Sequence, residues 1–221
     1  MTFDQASTIP LCFTTAAIGL YQEKRDRGGA GLVAPWADGG RGKYAGQAIY
    51  IPGGSSSVGQ YGRFVLQRIK LDNDEIELRL ALQLAKLSGF NPIITTASTH
   101  NEDYCRAAGA THIVDYHITP YASIPTVVKE ITKGPVDVIF DAISTLESQK
   151  ADLEILDPNG SLVLTLPPAI DKLTEPEGNL WVVQTFGSVR DYGHSEFGTA
   201  MYTALPGLLA DGSIKVCSIV V

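Results

Sequence analysis

The feature that most constrains the fold is residues 48–59, Ala-Ile-Tyr-Ile-Pro-Gly-Gly-Ser-Ser-Ser-Val-Gly. Ala48 to Ile51 is a short apolar run of the kind that makes a buried strand. Pro52, Gly53, Gly54, Ser55, Ser56 and Ser57 form a turn, and Val58-Gly59-Gln60-Tyr61 opens a helical pattern. Strand, glycine-rich turn and helix start together make an anion site. The helix start offers unpaired N–H groups and a positive dipole end, and the glycines let a pyrophosphate approach the backbone. The spacing is not the strict G-x-G-x-x-G form. Gly54 and Gly59 are separated by four residues, as in a P-loop, but Gln60 stands where that loop needs its lysine, which argues against nucleoside triphosphate hydrolysis. No G-x-S-x-G occurs, so there is no nucleophile elbow. A plain strand–turn–helix connection stays open as the alternative.

A chain of 221 residues holds one large domain or one domain with appendages. Its net charge is −7, and its densest charge cluster, residues 23–27, mixes signs, so neither nucleic acid nor an anionic membrane is expected as a partner. No apolar run approaches the ~20 residues of a membrane span. The N-terminal residues 1–5 lack a basic region and an apolar core, so no signal peptide is expected. Cys12, Cys105 and Cys217 form no C-x-x-C pair and no disulfide framework, which suits a cytoplasmic protein with reduced thiols.

Along the chain, a helix begins at or near Pro10 and runs toward Tyr21, with Thr14 and Thr15 in packing roles. Residues 26–47 are rich in glycine and read as a surface loop. Helical spacing over 58–71 is interrupted by Asp72-Asn73-Asp74, and a second helical run over 75–88 closes at Gly89. Joining Tyr61 directly to Ala81 would give one amphipathic helix of ordinary length, so 62–80 reads as an insertion. Strands are expected at 92–96, 111–116, 136–141, 161–166 and 181–186. Helices are expected at 102–108, 124–132, 148–156 and 197–210, with an extended tail over 214–221. Alternating strands and helices predict an α/β fold with a doubly wound parallel sheet of the Rossmann type, as a single domain over 1–221.

In NAD-binding folds an Asp or Glu about 20 residues beyond the glycine turn grips the ribose hydroxyls. With the insertion discounted, Ala97-Ser98-Thr99-His100-Asn101 occupies that place, and none is acidic. Ser98, His100 and Asn101 could hydrogen-bond a 2′-phosphate that a carboxylate would repel, which favours NADP(H) over NAD. The same residues also read as an ordinary N-cap for the helix over 102–108.

Residues 10–21, 53–61, 82–101, 109–116 and 137–144 together resemble the cofactor half of the medium-chain dehydrogenase/reductases. The similarity is to the zinc-independent branch, the quinone-oxidoreductase-like proteins and fungal trans-acting enoyl reductases. It implies NADPH-dependent hydride transfer to an enoyl or quinone-like small molecule, and no metal. Carried over by position, the resemblance puts Gly54, Ser55, Ser56, Ser57, Val58 and Gly59 at the cofactor phosphates. Ser98, Thr99, His100 and Asn101 fall at the 2′-phosphate end, Tyr116 near the adenosine, and Thr165 and Leu166 near the nicotinamide. Strand-end packing for Tyr116 and core packing for Thr165 and Leu166 are the alternatives. Family members begin with a β-rich substrate domain, which this reading finds missing, and 62–80 has no family counterpart. The expectation is therefore a truncated reductase, with a non-catalytic NADP-binding module or remnant as the alternative. The face left by the missing domain would be an apolar patch open to association. The cysteines and His100, His112, His117 and His194 form no recognisable metal-ligand set. No Tyr-x-x-x-Lys pair is present, which removes the short-chain dehydrogenases.

Overall fold

The computed structural model describes residue 6 and residues 9–53, 76–174 and 178–215. In chain order the elements are α1 (Ile9–Tyr21), β1 (Ile49–Ile51), α2 (Ile76–Ser88), β2 (Ile93–Thr96), α3 (Glu102–Ala108), β3 (His112–Val114) and α4 (Ile124–Thr132). There follow β4 (Val136–Asp141), α5 (Leu146–Ile155), β5 (Leu156–Leu164), α6 (Asp171–Thr174), β6 (Trp181–Gln184) and α7 (Ser195–Ala210).

The strands form one sheet in the order β3-β2-β1-β4-β5-β6, and every described pairing is parallel. Parallel sheets are covered on both faces, so their strands read as near-continuous apolar runs. The run Ile49-Tyr50-Ile51 fits this, with every residue buried. Ile49 and Ile51 point to one core with Ile93, Val138, Phe140 and Val163. Tyr50 points to the other with Ile94, Ile139, Leu162 and Leu164. Helices α1, α2, α3 and α7 cover the first face, and α4, α5 and α6 the second. The doubly wound α/β expectation is met.

Local chemistry sets the element ends. Gly89 (φ +88) and Gly109 (φ +127) follow α2 and α3 in backbone conformations that a side chain disfavours. Thr145 and Ser148 form a capping box that starts α5 ahead of the predicted position 148. Strand β5 begins at Leu156, earlier than expected. It pairs Val136 with Leu156 and then Val138 with Ser161, so the residues between bulge out around an Asp157–Asn159 turn. Strand β3 is shorter than expected because Asp115 turns the chain.

The helical run expected over 75–88 is present as α2 from residue 76, and Leu80 lies in the core at 4% exposure. Of the segment 62–80 read as an insertion, 62–75 lies outside the described residues, as does the tail over 216–221.

One further expectation is corrected: residues 26–47, read as a surface loop, are a packed strap. Its Trp36 ring lies 6.2 Å from Phe13, 5.3 Å from Tyr21 and 6.0 Å from Phe197. Tyr44 stacks on Phe90 at 4.8 Å, an aromatic pairing that stabilises by about 0.5–1.5 kcal/mol beyond burial. His194, fully buried before α7, accepts on Nδ1 from Gln22 Nε2 (2.7 Å) and Arg25 Nη2 (3.1 Å), while its Nε2–H donates to the Arg27 carbonyl (3.1 Å). Burial, with Arg25 adding to it, holds this imidazole below its ordinary value and neutral. Few apolar residues were needed to dock the strap, because rings and backbone bonds do it.

Candidate functional site

In open parallel sheets the crevice lies beyond the carboxyl ends of the strands, where the strand order reverses. That point is between β1 and β4, and the residues leaving the neighbouring strands meet there.

β1 leads into Pro52 and Gly53. Gly53, at φ +88, donates its N–H to the hydroxyl of Thr96 (2.8 Å), and Thr95 donates its hydroxyl to the Ile51 carbonyl (2.6 Å). The two buried threonines at the end of β2 therefore fix the entrance of the glycine turn. Burial raises the Tyr50 hydroxyl well above its ordinary value, and the nearby Asp152 and Asp141 carboxyls add to that. Gly54, Ser55, Ser56, Ser57, Val58 and Gly59, the expected phosphate contacts, lie outside the described residues.

Ser98, Thr99, His100 and Asn101 follow β2, the last three as a 3₁₀ turn leading into α3. The expected N-cap is not made by this segment's own side chains: neither Ser98 nor Asn101 gives a side-chain cap bond. The cap comes from Asp115, just beyond β3. Asp115 Oδ2 accepts the Thr99 N–H (2.9 Å) and, at closer range, the Thr99 hydroxyl. Its Oδ1 accepts the His117 N–H (2.8 Å). These bonds, the Thr99 hydroxyl first, hold the Asp115 carboxyl below the usual carboxylate range. Thr99 is thus committed to Asp115, and Ser98, Asn101 and the exposed His100 keep side chains that the cap does not use. Tyr116, 37% exposed, lies 4.4 Å from the His117 ring beside them.

Beyond β4 and β5 the chain is tied tightly. Asp141 is fully buried, and its carboxyl accepts the N–H groups of Ile143 and Ser144 (both 2.8 Å) and the Ser148 hydroxyl (2.8 Å). Ser144, at φ +51, donates its hydroxyl to the Asp141 carbonyl (2.8 Å) and accepts the Thr165 N–H (3.1 Å). Gln149 bridges Ser144 and the segment after Leu166: it donates to the Ser144 carbonyl (3.1 Å) and accepts the Ala169 N–H (2.7 Å). Burial pushes the Asp152 carboxyl well above the carboxylate range, and the neighbouring Asp141 charge pushes the same way. Asp141 is also raised, by burial. Desolvation pushes Tyr121 up to about 12.

Thr165 and Leu166 are half-buried at this floor, and Thr165 lies against the β4 exit. Thr185, next along from the Leu164–Gln184 pair, has a buried hydroxyl with no partner among the described residues. An orphaned buried hydroxyl suits a carboxamide or another polar ligand group. The described residues therefore fit a dinucleotide at both ends: uncommitted hydroxyl, imidazole and amide groups after β2, and an unpaired hydroxyl after β6. Thr95, Thr96, Asp115, Asp141 and Thr185 were not singled out from sequence. The only local signal was Asp115-x-His117, an Asx-turn spacing.

Among the described residues no group of three or more His, Cys, Asp or Glu side chains is placed to hold a metal ion, and no helix is long and apolar enough to cross a membrane. The family model described as "Zinc-binding dehydrogenase" matches residues 79–188. A zinc-type alcohol dehydrogenase-like protein of Schizosaccharomyces pombe is 32% identical over 174 residues, 76% of this chain and 42% of that protein. A dual trans-enoyl reductase/FAD-dependent monooxygenase of Aspergillus terreus is 27% identical over 98% of this chain and 28% of its own length. Among solved structures, the enoyl-reductase cyclopropanase of the curacin A biosynthetic pathway superposes with a TM-score of 0.68. It is 20% identical over 98% of this chain and 54% of that one, a likeness of fold. The chain thus spans well under two thirds of the length of these relatives.

Proposed function

Because the chain belongs, through residues 79–188, to the zinc-binding dehydrogenase family, the cofactor-binding domain of the medium-chain dehydrogenase/reductases, we propose that it binds NADPH for hydride transfer to an enoyl or quinone-like small molecule. The observation that carries the NADPH reading is the arrangement after β2 and β3. An NAD-type site offers a free carboxylate to the ribose hydroxyls. Here the nearby carboxylate, Asp115, is turned onto Thr99 and His117, while Ser98, His100 and Asn101 keep uncommitted polar groups beside it.

In this reading Ser98, His100 and Asn101 bind the 2′-phosphate and Tyr116 packs on the adenosine. Residues 54–59 receive the pyrophosphate, and Thr165, Leu166 and Thr185 orient the nicotinamide end. The bound cofactor would supply the hydride, and the chain's part is to bind it, orient it and keep water from it. A non-catalytic NADP-binding module is the second reading.

Titration with NADPH and NADH, followed by fluorescence, tests the cofactor. Charge-assisted bonds to the phosphate predict a preference for NADPH of roughly ten- to a hundredfold. Equal affinities would overturn the 2′-phosphate assignment. Turnover of an enoyl thioester or a quinone then separates the reductase from the module, which would bind without turning over.

A further inference from the structure

Asp141 ends β4 and Asp152 lies on α5, and both side chains are fully buried, at 0% exposure. Their surroundings differ. Asp141 receives two backbone N–H groups and the Ser148 hydroxyl. Neither oxygen of Asp152 meets an N–H or O–H donor among the described residues. Asp152 lies one helical turn along α5 from Ser148, whose hydroxyl bonds the Asp141 carboxyl, so the same buried helix face turns Asp152 toward Asp141, and the Asp141 charge pushes the Asp152 carboxyl up. Tyr50 on β1 and Tyr121, just before α4, act on both carboxyls, and Glu147 and Tyr116 lie beyond at Tyr121. Every one of these neighbours is acidic. Among the described residues no cation acts on this pair; two such buried carboxylates do not both stay ionised, and a single shared proton converts their repulsion into a hydrogen bond.

We propose that Asp152 carries this proton and donates it to Asp141, and that the resulting carboxyl–carboxylate pair is a positioning device that holds the β4–α5 turn and, through Ser144, the Thr165 backbone at the crevice floor. The route is continuous. Asp141 fixes the N–H groups of Ile143 and Ser144, Ser144 holds the Thr165 N–H, and Gln149 ties the turn to Pro167 and Ala169. Loss of the proton sets two like charges beneath the turn, which relieves them by opening to water. The consequence for the nicotinamide end rests on the proposed function. The proton itself does not.

Asp152 is neutral in the folded chain and ionised in the unfolded chain at any pH between its unfolded value, about 4, and its raised folded value. Across that window the folded state binds one more proton, so stability falls as pH rises, tenfold in the folding equilibrium constant per pH unit. In the full chain, Asp152→Asn keeps a neutral donor facing Asp141 and removes the titration. Its Tm is expected to depend less steeply on pH than the wild type's and to exceed it increasingly above neutrality. Asp152→Ala lacks the donor and is expected to melt below Asp152→Asn at every pH. Identical pH slopes for wild type and Asp152→Asn would overturn the proposal. A second measurement needs no stability comparison: the infrared spectrum of the wild type at neutral pH should show a protonated-carboxyl band that Asp152→Asn lacks. Absence of that band from the wild type would equally overturn it. Both readouts stand whether or not NADPH binds, so failure of the cofactor reading is seen separately in the titration.

Discussion

Asp115 shows how one carboxylate can hold a loop that lies far from it in sequence. Thr99 and Asp115 lie 16 residues apart, and only the pairing of β2 with β3 brings them together. The same holds for Thr96 and Gly53, which are 43 apart. This is why the residues after β2 were legible as candidates while the groups that position them were not. Local patterns reveal a turn, but a buttress is recognised only once strand order is known. For Asp115→Ala we expect NADPH affinity to fall several-fold, since the loop bearing Ser98, His100 and Asn101 loses its cap. Because the folded Asp115 carboxyl lies below its unfolded value, its contribution is present above about pH 4 and is lost as pH falls through the lower folded value. The Tm gap between wild type and Asp115→Ala should therefore narrow on acidification. A gap independent of pH would show that the carboxylate charge plays no part.

At the scale of elements, the periodic stretches were readable because a buried strand or an amphipathic helix needs only its own sequence. The runs over 124–132 and 136–141 coincide with α4 and β4. Departures arose where tertiary contacts decide, as at the β5 bulge and at the strap docked by Trp36. Two glycines mark close approaches. A Cβ on Gly19 of α1 would stand 2.6 Å from the Phe140 ring and 2.9 Å from Val163, so Gly19→Ala overpacks the helix against β4 and β5. A cost of about 1–3 kcal/mol is expected, read as a lower urea midpoint with an unchanged slope. Gly89 combines φ +88 with a Cβ position 2.6 Å from the Gly42 backbone. Backbone cannot yield as a side chain can, so Gly89→Ala should cost at least as much. A loss of less than ~0.5 kcal/mol in either variant would contradict the packing described.

Across the whole molecule, one sheet serves two cores, with Ile49 and Ile51 on one side and Tyr50 on the other. Neither core can dissolve while the strands stay paired, so unfolding should be a single cooperative transition. Urea curves followed by far-ultraviolet circular dichroism and by tryptophan emission are expected to coincide, and displaced midpoints would show that one layer melts by itself.

The chain has two tryptophans. Trp36 sits within the strap among Phe13, Tyr21 and Phe197, and Trp181 donates its indole N–H to the Gly29 carbonyl of the same strap (2.9 Å). Both natural chromophores therefore watch the segment over 26–47 and neither comes from a strand's carboxyl end. Intrinsic emission is thus a built-in gauge of strap docking: a colour change on adding a dinucleotide would mean that occupancy of the crevice has been felt by the strap.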